Sequence, residues 1–428
     1  MDTLPGAVAI VLAENPPVYN SFTVFNDNLA PEEPSNLFSD ARNSNSAFVS
    51  AFNNNGTVAS IETPPNITNT IDTKVPRYQE WNFRVQQGLG VNTSLSLNYA
   101  GNHGIFIPIS LSGTNAYCPL PTPSMPSACP RGFIGLPAAA PDPRFSAVGE
   151  VHSAGVSNYN GLVVSFQHRF AKGFQFQANY SWSHALDEVS NGGFFIFNGG
   201  QGGSVLNPED SNNIRKYNYG NADYDTRHYF SASYVWELPY PRGPRLLLQG
   251  WRVAGTVFAR SGLPYTVFDS GATNLLAQFN YGANGFGVGS PVYANFLGSS
   301  YPGCSTPRRP CLEESEFSSP TDPATPGPYT FGRQRRNQFY GPGFFDTDLT
   351  LVKETKIPRW EGARLGLGVL FFNLFNHPNF DAPNIDIGTP STFGQITETV
   401  SAPTSVLGAG LTGSQAPRLI QLTARLTF

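Results

Sequence analysis

Asp223, Asp225, Arg227 and His228 fall within one short stretch. These residue types serve acid–base chemistry or bind metal. They sit where a long loop enters a strand-like segment, so a solvated cluster at a rim is the favoured reading. Arg333, Arg335 and Arg336 have the charge to hold an anionic ligand. Pairing with Asp346 and Asp348 is favoured over that. Those two aspartates are two positions apart, which places both on one face of a strand, and an interior wall is where both are expected. Glu313, Glu314 and Glu316 form an acidic patch that suits either a cation or, more simply, solvent. His103, His152, His184 and His377 are scattered without ligand spacing. Gly285, Gly287 and Gly289 miss the dinucleotide spacing, and no GxSxG elbow, HExxH or P-loop is present. Cys118/Cys129 and Cys304/Cys311 form two close pairs in Pro/Gly/Ser-rich stretches. With no histidine nearby and no zinc-knuckle spacing, two local disulfides in an oxidising compartment are favoured over a metal site. The expectation is a protein with no catalytic residue, no cofactor and no metal.

The elements that carry these residues look like strands. Charged residues are 13% of the 428, about half the usual share of a soluble domain. Aromatic residues are also 13%, and there are 43 Gly and 37 Pro. Mean hydropathy is −0.23. A helical membrane protein needs about 20 consecutive apolar residues per span, and the longest candidate, 7–13, is far shorter. A transmembrane β-barrel alternates lipid-facing with lumen-facing residues, so its average stays polar. A net charge of −4 gives no electrostatic footprint for nucleic acid.

Period-two alternation is clearest over 173–184. Phe174, Phe176, Ala178, Tyr180 and Trp182 form an apolar face, and Gln175, Gln177, Asn179, Ser181 and Ser183 a polar, uncharged one. At about 3.3 Å per residue and a tilt near 40°, twelve residues cover roughly 30 Å, which suits a bilayer. Leu162, Val164, Phe166 and Phe170 alternate in the segment before it, and Ala171-Lys172-Gly173 is a tight hairpin turn. Strands are also expected at 78–87, 91–100, 227–238, 251–261, 345–356, 363–374 and 418–428. Short turns (88–90, 171–173, 239–250, 357–362) alternate with long loops (101–157, 185–225, 262–342, 375–415). Barrels have this asymmetry, with short periplasmic turns and long extracellular loops. On that count the last strand runs inward. Trp236, Tyr240, Trp251 and Trp360 lie beside short turns, while Trp81, Tyr99, Tyr180 and Trp182 lie towards long loops. Two such rows match the two interfaces of a bilayer. The fold expected is all-β: an antiparallel transmembrane β-barrel, here a partial barrel of about nine to ten strands. Residues 1–76 read as a segment that is mostly loop, with a possible remnant strand, and 77–428 as the barrel region.

The chain closes on Leu422, Leu426 and Phe428, which share alternate positions of the last strand. A terminal Phe on an alternating strand resembles the signal read by the outer-membrane barrel-assembly machinery.

Six blocks resemble Oar-like TonB-dependent receptors, in that family's order: "RYQEWNFRVQQGLGVNTSLSLNYAGNHG" (77–104), "SNYNGLVVSFQHRFAKGFQFQANYSWSHALDE" (157–188), "ADYDTRHYFSASYVWELP" (222–239), "GWRVAGTVFARSGLPYTV" (250–267), "RNQFYGPGFFDTDLTLVKE" (336–354) and "FFNLFNHPNF" (371–380). The resemblance covers roughly 75–428. It implies a large barrel with a plugged lumen in the outer membrane of a Gram-negative bacterium, and uptake driven through the TonB complex. Members carry a regulatory-like domain and a plug ahead of the barrel. Neither is visible here, nor is a signal peptide or TonB box, so the chain is expected to be a piece of a longer receptor. The leading functional expectation is the barrel portion of a transporter for an unknown small molecule or oligosaccharide. An adhesin-like or pore-like barrel without TonB coupling is the alternative. A secreted soluble β protein is the third.

Overall fold

The computed structural model describes residues 66–69, 74–111, 113–119, 129, 131–143, 148–188, 190, 213–240, 243–279, 292–298, 311–357, 360, 362–400 and 417–428. Residues 1–65 of the expected N-terminal segment, and Cys304, lie outside them.

Nine long strands form one sheet: β1 (Arg77–Gly88), β2 (Thr93–Leu111), β3 (Val148–Ala171), β4 (Phe174–Asp187), β5 (His228–Glu237), β6 (Trp251–Arg260), β7 (Phe344–Lys356), β8 (Arg364–Phe372) and β9 (Leu419–Thr427). They lie in chain order, each antiparallel to the next. Two short strands join this sheet off its main path. Asn66–Asn69 pairs parallel with Val148–Val151, and Gly220–Asn221 pairs with the end of β4.

Turn chemistry starts the β3–β4 hairpin, and a one-residue shift between Ala171 and His168 sets the register beyond it. Ala171 pairs with Phe174, leaving Lys172 (φ 50°) and Gly173 (φ 80°) as a two-residue connection with both residues left-handed. That is the type I′ geometry whose twist matches the flanking strands. Trp81 pairs with Gly101, and its indole covers the space a Cβ there would fill. An aromatic ring shields a strand glycine in this way and pins the pairing.

With the register set, the pleat sorts the side chains. Leu97, Val164, Tyr180 and Phe230 stand side by side across four strands on the outer face. Ala259 and Phe345 continue that row through β6 and β7, and Leu351, Val369 and Leu422 stand side by side on the same face of β7, β8 and β9. The inner face carries Ser165, Asn179 and Ser231, then Thr256 and Asp348. The outer row is uncovered: Tyr180 is 40% exposed, Trp182 58% and Trp236 44%. A soluble sandwich buries such a row beneath a second layer. The described residues supply no second layer here.

Among the described residues, most of the buried apolar ones lie instead in the long connections. One cluster joins Cys118, Cys129 and Phe133 to Leu276, Phe279, Val292 and Phe331. A second joins Tyr265, Val267, Leu312, Phe317 and Phe339 to Ile385 and Phe393. The helix Ser270–Ala277, capped by Asp269 through the Ala272 N–H, sits in the first cluster. The loops thus make a packed cap with its own core.

Two expectations about the loops change. The sequence predicts the first long loop at 101–157, but β2 runs to Leu111 and β3 begins at Val148. The pairing passes through a bulge at Phe106 (φ 59°) and a further shift at Pro108. The bulge breaks the period of two, and the proline masks the strand beyond it. The second loop likewise starts later, after Asp187.

Candidate functional site

The inner face holds a recess of about 400 Å³, lined by Gln177 and Asn179 from β4, Ser231 and Ser233 from β5, Thr256 and Phe258 from β6, and Asp346 and Asp348 from β7. Alternation puts these residues together. Each strand sends every second side chain inward, and the inward positions at this height are carboxamides, hydroxyls and two carboxylates. Asp348 accepts from the Asn373 N–H at 3.0 Å and from the Thr256 hydroxyl at 3.4 Å. Asp346 accepts from the Thr347 N–H at 2.9 Å. Such a wall can hydrogen-bond a hydroxyl-rich solute or attract a cation.

The arginines are elsewhere, which corrects the expected pairing. Arg336 is fully buried and binds Asp187 and Asp223, not Asp346 or Asp348. One Nη donates to Asp187, and the other donates to Asp223 at 2.5 Å and to the Ser190 hydroxyl at 2.9 Å. Ser190 passes a hydrogen bond on to Asp187 at 2.9 Å and accepts the Asp223 N–H at 3.0 Å. Asn337 donates to Asp223 at 2.8 Å. Burial alone pulls the guanidinium of Arg336 towards losing its proton. The Asp187 and Asp223 carboxylates reverse this, and Arg336 ends above its ordinary value. Burial pushes the Asp223 carboxyl up against the pull of Arg336. Arg333 is exposed, with its N–H on Asn295.

The Asp223–His228 stretch does lie where a loop enters a strand, but its two aspartates are buried while His228 stays exposed. Asp223 and Asp225 are each 1% exposed. Asp225 accepts from the Ala185 N–H at 2.7 Å, the Arg227 guanidinium at 2.9 Å and the Tyr340 hydroxyl at 3.2 Å. Arg227 reaches on to His184 at 2.8 Å. His228 turns to the outer face and meets the Tyr180 hydroxyl at 2.8 Å. Asp223, Asp225 and Arg227 tie the ends of β4 and β5 to the loop before β7.

Sequence reasoning missed Asp187, Ser190 and Asn337. It also missed Gln334, which bridges Val267 and Ala294 inside the cap, and Asn379, which clamps the Phe345 backbone. Only Asp187 and Ser190 lie at a strand end, that of β4; Asn337, Gln334 and Asn379 lie within long loops and carry no local signal. The sulfurs of Cys118 and Cys129 are bonded, with Cα atoms 5.4 Å apart, inside the first cap cluster. Cys311 is also disulfide-bonded. Glu313 and Glu314 face solvent, and no group of three or more metal-ligating residues occurs among the described residues. Leu422 and Leu426 project from β9 on the outer face, and Phe428 follows it.

A family model described as "Outer membrane beta barrel domain" matches residues 1–421. Among solved structures, the chain is similar to the outer membrane transporter YddB from Escherichia coli, at 10% identity and a TM-score of 0.35, over 86% of this chain and 34% of that one. It is also similar to the FrpB iron transporter from Neisseria meningitidis, at 12% identity and a TM-score of 0.33, over 83% of this chain and 31% of that one. The chain therefore spans about a third of the length of either structure. No curated protein matches it.

Proposed function

The chain belongs to the outer membrane beta barrel domain family, and from that premise we propose that it forms the barrel portion of a TonB-dependent transporter. It is an outer-membrane protein, and lipid covers the outer face of its sheet. The family is typically non-enzymatic. On the transport reading no bond is made or broken. A solute is captured by the cap, passes the polar wall and enters the periplasm when a plug moves.

The observation that carries this reading is the inner wall. A sheet that served only as an anchor has no need of two carboxylates and a row of carboxamides and hydroxyls across four strands. The solute class that suits the wall is a polar small molecule or an oligosaccharide. The proposed partners are the TonB complex, acting through a plug domain encoded outside 77–428, and the barrel-assembly machinery, reading Leu422, Leu426 and Phe428.

The test compares cells with and without the gene for uptake of labelled iron chelates, oligosaccharides and peptides. Uptake of one class should depend on the gene and stop when a protonophore collapses the energy supply. Gene-dependent uptake that survives the protonophore, with steady conductance in liposomes, would replace this reading with the pore. In the same assay Asp346→Asn and Asp348→Asn should each weaken half-saturation about tenfold or more, because each removes a charge-assisted hydrogen bond of about 1.5–3 kcal/mol. Unchanged half-saturation in both variants would remove the recess from the route.

The adhesin-like reading draws on the cap. Two apolar cores and a disulfide make it a firm outward platform. It predicts surface binding without gene-dependent uptake of any labelled class.

A further inference from the structure

We infer that the recess in the inner wall is a saccharide subsite, built for a pyranose ring that carries no negative charge. The inference rests on the transport reading above and narrows its solute to one class. Three aromatic rings interrupt the polar inner face. Tyr229, Phe258 and Phe344 occupy inward positions of β5, β6 and β7. Phe258 meets Tyr229 edge to face at 5.0 Å and Phe344 at 5.5 Å. Phe344 is buried, but Phe258 is half-buried and Tyr229 is 37% exposed. The register sets Phe258 directly between Ser231 on β5 and Asp346 on β7. Two residues along the same face, Thr256 stands between Ser233 and Asp348. On β4, Asn179 adjoins Ser231 and Gln177 adjoins Ser233. An aromatic ring is thus flanked on both sides by polar groups that share its face.

Hydrogen-bonding capacity decides what fits there. Among the described residues, the side chains of Gln177, Asn179, Ser231 and Ser233 make no hydrogen bond within the protein. Asp346 engages one oxygen, on the Thr347 N–H. Carboxamides and hydroxyls both donate and accept, while carboxylates only accept. A pyranose offers the matching parts. Its C–H face suits the negative face of an aromatic ring, and the hydroxyls around its edge both donate and accept. A bare ammonium ion would use the ring and the carboxylates but leave the carboxamides and hydroxyls unmatched. An anion finds no Lys, Arg or His among the lining residues and is repelled by Asp346 and Asp348. The volume of about 400 Å³ lies within the range of small-molecule sites.

The full chain, folded into lipid nanodiscs, is titrated by calorimetry with cello-, malto-, xylo- and chito-oligosaccharide hexamers. Hexagalacturonate and choline serve as the anionic and cationic probes. At least one uncharged hexamer should bind about tenfold or more tightly than either charged probe. Phe258→Leu keeps the apolar bulk but loses the ring, and should weaken that binding about tenfold, while Phe258→Tyr should retain it. Asn179→Ala, which removes a donor and an acceptor, should weaken it severalfold. A readout that needs no variant is magnetisation transfer from aromatic protons of the protein, which should reach the C–H protons of one sugar ring most strongly. Failure of all four uncharged hexamers to bind, tighter binding of hexagalacturonate or choline, or unchanged affinity in both Phe258→Leu and Asn179→Ala overturns the inference. Uptake of an iron chelate or peptide that needs the gene and the energy supply, with no saccharide bound, would leave the transport reading standing without this subsite. Saccharide binding with no gene-dependent uptake of any labelled class would do the reverse.

Discussion

Val164→Arg should destabilise the protein folded in lipid by about 2–4 kcal/mol, the cost of a guanidinium at the midplane of a barrel's lipid face. Val164 stands on the outer face of β3 between Leu97 and Tyr180. Gln177→Arg carries the same charge on the neighbouring strand but faces the recess, beside Ser233 and near Asp346 and Asp348. There the new charge meets water and carboxylates, and the change should stay within about 0.5 kcal/mol, as for other solvated positions. Urea titrations in vesicles measure both. Equal penalties would mean that the two faces do not see different solvents.

Arg336→Ala should cost about 3–5 kcal/mol of cap stability, because it leaves buried carboxylates without their counter-ion. The loss is expected in the cap alone. Hydrogen exchange should quicken in 262–279 and 311–340 while β3 and β4 stay protected. Arg333→Ala, at an exposed side chain, should change the same rates little. The effect also has a pH sign. A carboxyl held above its ordinary value, as Asp223 is by burial, is destabilising in its ionised form. That penalty is absent at acid pH and grows as pH rises through the raised value. Without Arg336 the penalty is larger, so the deficit of R336A should shrink on acidification. Adding Asp187→Asn and Asp223→Asn to R336A should recover part of the loss at neutral pH. An R336A cap with unchanged exchange would show that the network is not what holds it.

The two regions of the protein differ in how readily the sequence discloses them. The wall is legible because one solvent boundary repeats at every second residue. Phe174, Phe176 and Tyr180 announce a shared face before any partner strand is known. Lys172-Gly173 announces its turn because few residue types accept two successive left-handed positions. The cap has no such period. Its central contact joins Arg336 to Asp187, 149 positions away, and nothing local in the sequence marks the two as neighbours. Nearness along the chain suggested Asp346 and Asp348 as the partners of Arg336, but the strand carries those side chains to the recess while the preceding loop folds Arg336 into the cap. The top of β2 was hidden for a related reason. The left-handed Phe106 shifts the register, so the period of two fails where the strand continues. The alternating rule therefore reads the wall and not the cap, where packing between distant loops decides.

A nitroxide carried one residue at a time from Phe174 to Ser183 tests most directly whether lipid covers the outer face. Collisions with dissolved oxygen, which concentrates in hydrocarbon, should peak at 174, 176, 178, 180 and 182. Collisions with a water-soluble nickel chelate should peak at the residues between. A scan with no alternation, or with the apolar positions shielded from both reagents, would put protein where lipid is expected.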